Sequence, residues 1–177
     1  MAESFNNSLT RSVGIETSNT NGTVGVTTNL ITGISTSLVA VGDLIVNQHF
    51  RGNAKVETIG SGQVTATIDS TNTSSATSQS VQFLGVTTAY TSPASTKSIL
   101  VGGTFANLTN NNVNLFIEVG QGNTMSTLAN DIPVPTGSSF VISDAGKTVL
   151  TASDEIRVYC DTSNALDVTL SILEGIS

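Results

Sequence analysis

The chain has 177 residues and a net charge of -7 from six basic and thirteen acidic side chains, and only 11% of its residues are charged, against about 25% in ordinary soluble domains. With so few cations it has no basic stripe to neutralise phosphates, so no nucleic-acid partner is expected, and it has no apolar run long enough to cross a membrane as a helix. Its polarity comes from Thr, Ser and Asn, which favour strands and turns over helix interiors, so the length is read as two small, β-rich domains rather than a disordered polymer.

Residues 1–23 are polar, with Asn6-Asn7-Ser8 and a Thr/Asn/Gly cluster over 17–23, and Phe5, Leu9 and Val13 are their spaced apolar anchors. Alone, such an arm would fray. We expect a neighbouring subunit to hold it, with Phe5, Leu9 and Val13 as the partner-binding residues. From Val24 the pattern predicts strands over 24–30, 38–46, 55–59, 63–68 and 80–84, punctuated by Gly33, Gly42, Gly52 and Gly60-Ser61-Gly62. Val64-Thr65-Ala66-Thr67-Ile68 alternates cleanly, giving one apolar face and one Thr-lined face. The stretch 71–80 is apolar-poor and reads as a loop.

A second group of strands is expected over 87–91, 97–108, 112–119, 131–134, 140–142, 147–150, 155–160 and 165–173. Turns fall at Pro93, Asn110-Asn111-Asn112, Gly120-Gln121-Gly122-Asn123 and Ser163-Asn164. This spacing of roughly 8–12 residues per strand and turn predicts an antiparallel β-sandwich or jelly roll. Leu166, Val168, Leu170 and Ile172 share one face of the last strand. No long helix is signalled, although 124–130 allows a short helical turn.

Ser12-Val13-Gly14-Ile15-Glu16-Thr17 and Phe83-Leu84-Gly85-Val86-Thr87-Thr88 share an apolar-Gly-apolar pattern. The echo suggests that residues 15–85 are a small β domain inserted into a parent made of the arm 1–14 and the main domain 86–177. Ser4-Phe5-Asn6-Asn7-Ser8-Leu9-Thr10-Arg11-Ser12-Val13-Gly14, Lys97-Ser98-Ile99-Leu100-Val101-Gly102-Gly103-Thr104-Phe105-Ala106-Asn107 and Ile132-Pro133-Val134-Pro135-Thr136-Gly137 carry a resemblance. So does Leu150-Thr151-Ala152-Ser153-Asp154-Glu155-Ile156-Arg157-Val158. The chain resembles small virion structural proteins of marine tailed phages of the T4-like cyanophage type, in which the arm runs straight into the strand near Thr87. The extra block departs from that pattern, and its Val26-Thr27-Thr28-Asn29-Leu30-Ile31 looks like segments of phage surface and fibre proteins.

Catalytic signatures are sought and not found. His49 is the only histidine and no Gly-x-Ser-x-Gly elbow accompanies it, so a Ser-His-Asp triad and a His-based metal cluster are not expected. Cys160 is the only cysteine and its place beside Ile156 and Val158 predicts a buried thiol. Asp154, Glu155, Asp161 and Asp167 offer carboxylates, but the segment 161–167 lacks the glycine and terminal glutamate of a calcium loop. With no Trp and two Tyr there is no aromatic platform for sugars. Gly102-Gly103 and Gly60-Ser61-Gly62 open no phosphate-binding helix.

The expectation is therefore a non-enzyme without cofactor, metal or catalytic residue. The resemblance implies a homo-oligomeric virion protein on the outside of a tailed phage, assembled in the host cytoplasm with other virion proteins of the capsid or tail. Capsid decoration is favoured over a neck, tail or tail-fibre attachment part. The rival class is a receptor- or glycan-binding module using loops such as 47–53.

Overall fold

A computed structural model of the chain describes residues 3–121 and 124–176; Met1, Ala2 and the Gly122-Asn123 turn expected above lie outside the described residues. Among the described residues every regular element is a strand: β1 Ser4–Val13, β2 Glu16–Val24, β3 Leu30–Thr32, β4 Leu44–Val46, β5 Val56–Gly60, β6 Gln63–Ala66 and β7 Ala76–Leu84 come first. Then follow β8 Thr87–Thr91, β9 Lys97–Asn107, β10 Val113–Gln121, β11 Thr124–Val134, β12 Ser139–Leu150, β13 Glu155–Cys160 and β14 Leu166–Ile176. The chain divides into two compact units, one of residues 1–13, 87–160 and 164–177, the other of residues 14–86 and 161–163.

The first unit holds two four-stranded antiparallel sheets, β1-β14-β9-β12 and β11-β10-β13-β8. Among its eight strands the first pairs with the eighth (β1 and β14), the second with the seventh (β8 and β13), the third with the sixth (β9 and β12) and the fourth with the fifth (β10 and β11). That nesting is the topology of a jelly roll. Its core interleaves Phe105, Leu150, Leu166 and Leu170 of one sheet with Leu115, Ile117, Ile156 and Val158 of the other. Phe105 and Phe140 face each other across β9 and β12 with ring centroids 6.1 Å apart. Gly103 lies between Leu170 and Ile142 in the ladder. A Cβ there would meet Leu170 Cδ2 at 2.8 Å and the Phe105 ring at 3.3 Å, so only glycine leaves room for both side chains.

The second unit is one antiparallel sheet in the order β4-β7-β2-β3-β6-β5. Its two edges meet: Leu44 bridges Lys55, the Ile45 N–H donates to the Ala54 carbonyl at 2.8 Å, and the Val56 N–H donates to the Asp43 carbonyl at 2.9 Å. The sheet thus closes into a six-stranded barrel, which removes its edges. Val24, Ile31, Ile45, Val64, Val81 and Phe83 form its interior. Gly62, at φ 69°, makes the tight turn from β5 into β6.

Several expected elements differ. The arm is not a separate tail, because residues 4–13 form β1 and residues 16–24 form β2. The predicted strand over 24–30 is the end of β2 and a turn, with Thr27 at φ 42° and its N–H donating to the Asn72 carbonyl. Of 38–46 only β4 is strand, because residues before it turn around the buried Asp43 carboxylate, which accepts from the Ala40 N–H at 2.9 Å and from Thr17 Oγ1 at 2.7 Å. The helical turn allowed at 124–130 is strand β11, whose periodicity is broken by register shifts near Ile117 and by Asp131 at φ 56°.

Candidate functional site

The exposed face of the sheet β1-β14-β9-β12 is built from alternate residues of each strand. One row runs straight across all four strands, Phe5 opposite Leu173, Leu173 opposite Ile99, and Ile99 opposite Val149. A second row places Leu9, Thr169, Thr104 and Val141 side by side. Between them lie Asn7, Ser171, Gly102 and Ser143. Phe5 is 62% exposed, Leu9 73%, Val141 54% and Val149 54%. None of these twelve residues is charged. At about 4.8 Å per strand the rows span roughly 15 Å.

Of the three anchors expected to bind a partner, the structure brings Phe5 and Leu9 to this face and removes Val13 from it. Thr10 opposes Val168 while Val13 opposes Leu166, three residues of β1 against two of β14. Ser12 takes up the extra residue at φ 59°, and its N–H donates to Asp167 Oδ1 at 3.1 Å. Without that bulge Val13 would share the outward face of Phe5 and Leu9; with it, Val13 is fully buried in the chain's own core. The expectation that Val13 is covered by a partner is therefore corrected.

The other side of β1 is stitched to β8. Ser8 Oγ donates to the Ala89 carbonyl at 2.7 Å, and Tyr90 Oη donates to Glu174 Oε1 at 2.7 Å while meeting Ser98 Oγ at 2.8 Å. Asn6 Nδ2 donates to the second Glu174 oxygen at 2.9 Å. Burial, with the Glu174 charge beside it, pushes the Tyr90 hydroxyl up to about 12. Sequence reading missed this cluster, since its members lie up to 168 positions apart and only the strand pairing brings them together.

The remaining candidates are structural in their contacts. Asp154 is buried and accepts from the Thr151 N–H at 2.7 Å and Thr151 Oγ1 at 2.8 Å, closing the turn before β13. Glu155 pairs with Arg157 at 2.9 Å, and Asp167 pairs with Arg11 at 3.6 Å. Asp161 accepts from Thr162 Oγ1 at 3.1 Å. His49 Nε2 lies 3.2 Å from Gln79 Oε1 on the barrel. Cys160 is buried in the jelly-roll core, its thiol donating to the Val13 carbonyl at 3.4 Å. Among the described residues no three His, Cys, Asp or Glu side chains stand together as a metal site.

No protein-family model matches the chain, and no curated protein matches it. Among solved structures, it is similar to the crystal structure of the infectious bursal disease virus VP2 subviral particle, with a TM-score of 0.34 and 7% identity over 97% of this chain and 71% of that one. It is also similar to the structure of the infectious bursal disease virus Gx strain, with a TM-score of 0.25 and 6% identity over 98% of this chain and 79% of that one.

Proposed function

We propose that the chain is a non-enzymatic structural subunit on the outside of a tailed phage particle, a decoration or cement protein that docks on other virion proteins through the three uncharged middle rows of the exposed face of the sheet β1-β14-β9-β12. The observation that carries this reading is the apolar row Phe5, Leu173, Ile99 and Val149 crossing a whole sheet beside rows of hydroxyl and amide side chains. Rows with no charge are desolvated cheaply, and their hydroxyls offer hydrogen bonds wherever a partner's backbone lies. Burying Phe5 and Val149 is worth about 1.5–3 kcal/mol each before ordering costs, a modest sum that repetition over a symmetric particle multiplies. Jelly rolls also serve in capsids and lectins, and the resemblance to cyanophage virion proteins favours the first. A glycan-binding role is disfavoured by the aromatic content: the chain has no Trp, Tyr159 is buried, and the Tyr90 hydroxyl is engaged by Glu174 and Ser98.

The test replaces Phe5 and Val149 together by Ser and measures occupancy on particles lacking the protein. The affinity for particles, read from occupancy over a range of protein concentrations, should weaken at least about tenfold, since the two burials are worth more than the 1.4 kcal/mol of a tenfold change, while the melting temperature stays within a few degrees. Full occupancy of the double variant would exclude this face as the attachment surface.

A further inference from the structure

We infer that the free edge of β1 is a dimerisation strand that pairs antiparallel with β1 of a second copy, with Asn7 on the two-fold axis. Three of the four edges of the jelly roll carry the devices that discourage strand addition. β8 has five residues and a register shift against β13. β11 carries register shifts and Pro133, and β12 breaks register between Ser143 and Thr148. β1 pairs with β14 without a shift from Ser4 to Thr10, and it has no proline and no charge within that stretch.

The outward residues of this edge read Glu3, Phe5, Asn7, Leu9, Arg11, which is self-complementary about Asn7. In the antiparallel pairing centred there, Glu3 faces Arg11 of the second copy, Phe5 faces its Leu9, and Asn7 faces its Asn7. On the inner side Ser4 meets Thr10 and Asn6 meets Ser8, all able to hydrogen-bond. A slip of two residues sets Phe5 against Asn7 or Arg11, and Leu9 against Glu3 or Asn7. A slip of one turns the apolar side chains to opposite faces. Charge and apolar matching therefore select a single register, through pairs of the kind that stabilise sheets. Arg11 is available for it: its side chain is 86% exposed and its contact with Asp167 is a long 3.6 Å, leaving further guanidinium donors for a second carboxylate. The closed two-fold pairing also joins the two exposed faces into one eight-stranded surface, with no edge of β1 left open. This inference concerns a second copy of the chain and does not depend on the virion role.

The experiment is sedimentation equilibrium of the full chain and its charge variants, with folding followed by circular dichroism. The intact chain should dimerise. Glu3→Arg or Arg11→Glu alone should weaken the dimer about tenfold or more, because each creates two like-charge contacts per dimer, and the double variant should restore it. A second measurement reports the register without altering charge: Asn7→Cys should form an intermolecular disulfide much faster than Asn6→Cys, while Cys160 stays buried in both. A chain monomeric at all soluble concentrations overturns the proposal. So do a dimer indifferent to the single reversals, a double variant no tighter than the singles, and equal cross-linking at the two positions.

Discussion

Tyr90 and Tyr159 are the chain's only tyrosines, and there is no Trp to mask them. Both hydroxyls are raised above the ordinary value, Tyr90 to about 12, by burial first and then by the carboxylates of Glu174 and Glu118. A tyrosine whose folded pKa is raised contributes stability that is fully present below its unfolded pKa of about 10 and is lost as pH climbs toward the folded value. The melting temperature should thus hold up to about pH 10 and fall above it, with tyrosinate absorbance rising only as the chain unfolds. Tyr90→Phe should flatten part of that fall; tyrosinate appearing near pH 10 in the folded chain would show that at least one of the two hydroxyls is not protected. At the same scale, Val13 and Leu9 separate cleanly. Val13→Ala leaves a void in the jelly-roll core and should cost about 2 kcal/mol in denaturant unfolding, whereas Leu9→Ala removes a side chain 73% exposed and should stay within about 0.5 kcal/mol.

Among the elements, β9 is flanked by strands on both sides and narrowed at Gly103. Gly103→Val should destabilise the chain by about 1–3 kcal/mol through overpacking against Leu170 and Phe105, measured by urea unfolding. Strands such as β14 and β6 were legible in the sequence because each has one wet face and one dry face, as in Leu166, Val168, Leu170 and Ile172 or in Val64 and Ala66. β1 and β2 were not. β1 is an edge whose outward residues mix amide, charge and apolar side chains, and its bulge at Ser12 shifts Val13 out of phase with Leu9. β2 buries Gly22, where a Cβ would collide with Ile34 Cγ2, so the barrel wall here carries no side chain for a hydrophobic pattern to reveal. Of the candidate surface, Phe5 and Leu9 were visible as isolated anchors. Their neighbours Leu173, Ile99 and Val149 come from distant strands, and nothing local in the sequence announces that pairing puts them in one row.

In the whole molecule, residues 14–86 of the second unit lie between the first and second strands of the jelly roll, with unit changes at Val13/Gly14 and Val86/Thr87, and the short stretch 161–163 between β13 and β14 is grouped with the same unit. Gly14 and Gly85, the centres of the repeated pattern, lie one and two residues inside those changes. The jelly roll keeps all eight strands with the barrel's residues set aside, so the larger chain can be understood as a complete sandwich that carries a second body in its first connection. The exposed sheet face described above belongs wholly to the sandwich. The central claim, that this is a structural part of a particle exterior, is tested most directly by immunogold labelling of purified particles with antibody raised against the barrel unit. The account predicts label on intact particles at regularly repeated outer positions, with loss of label when Phe5 and Val149 are both Ser. Protein found only in the soluble lysate, with particles unlabelled both intact and opened, would contradict it.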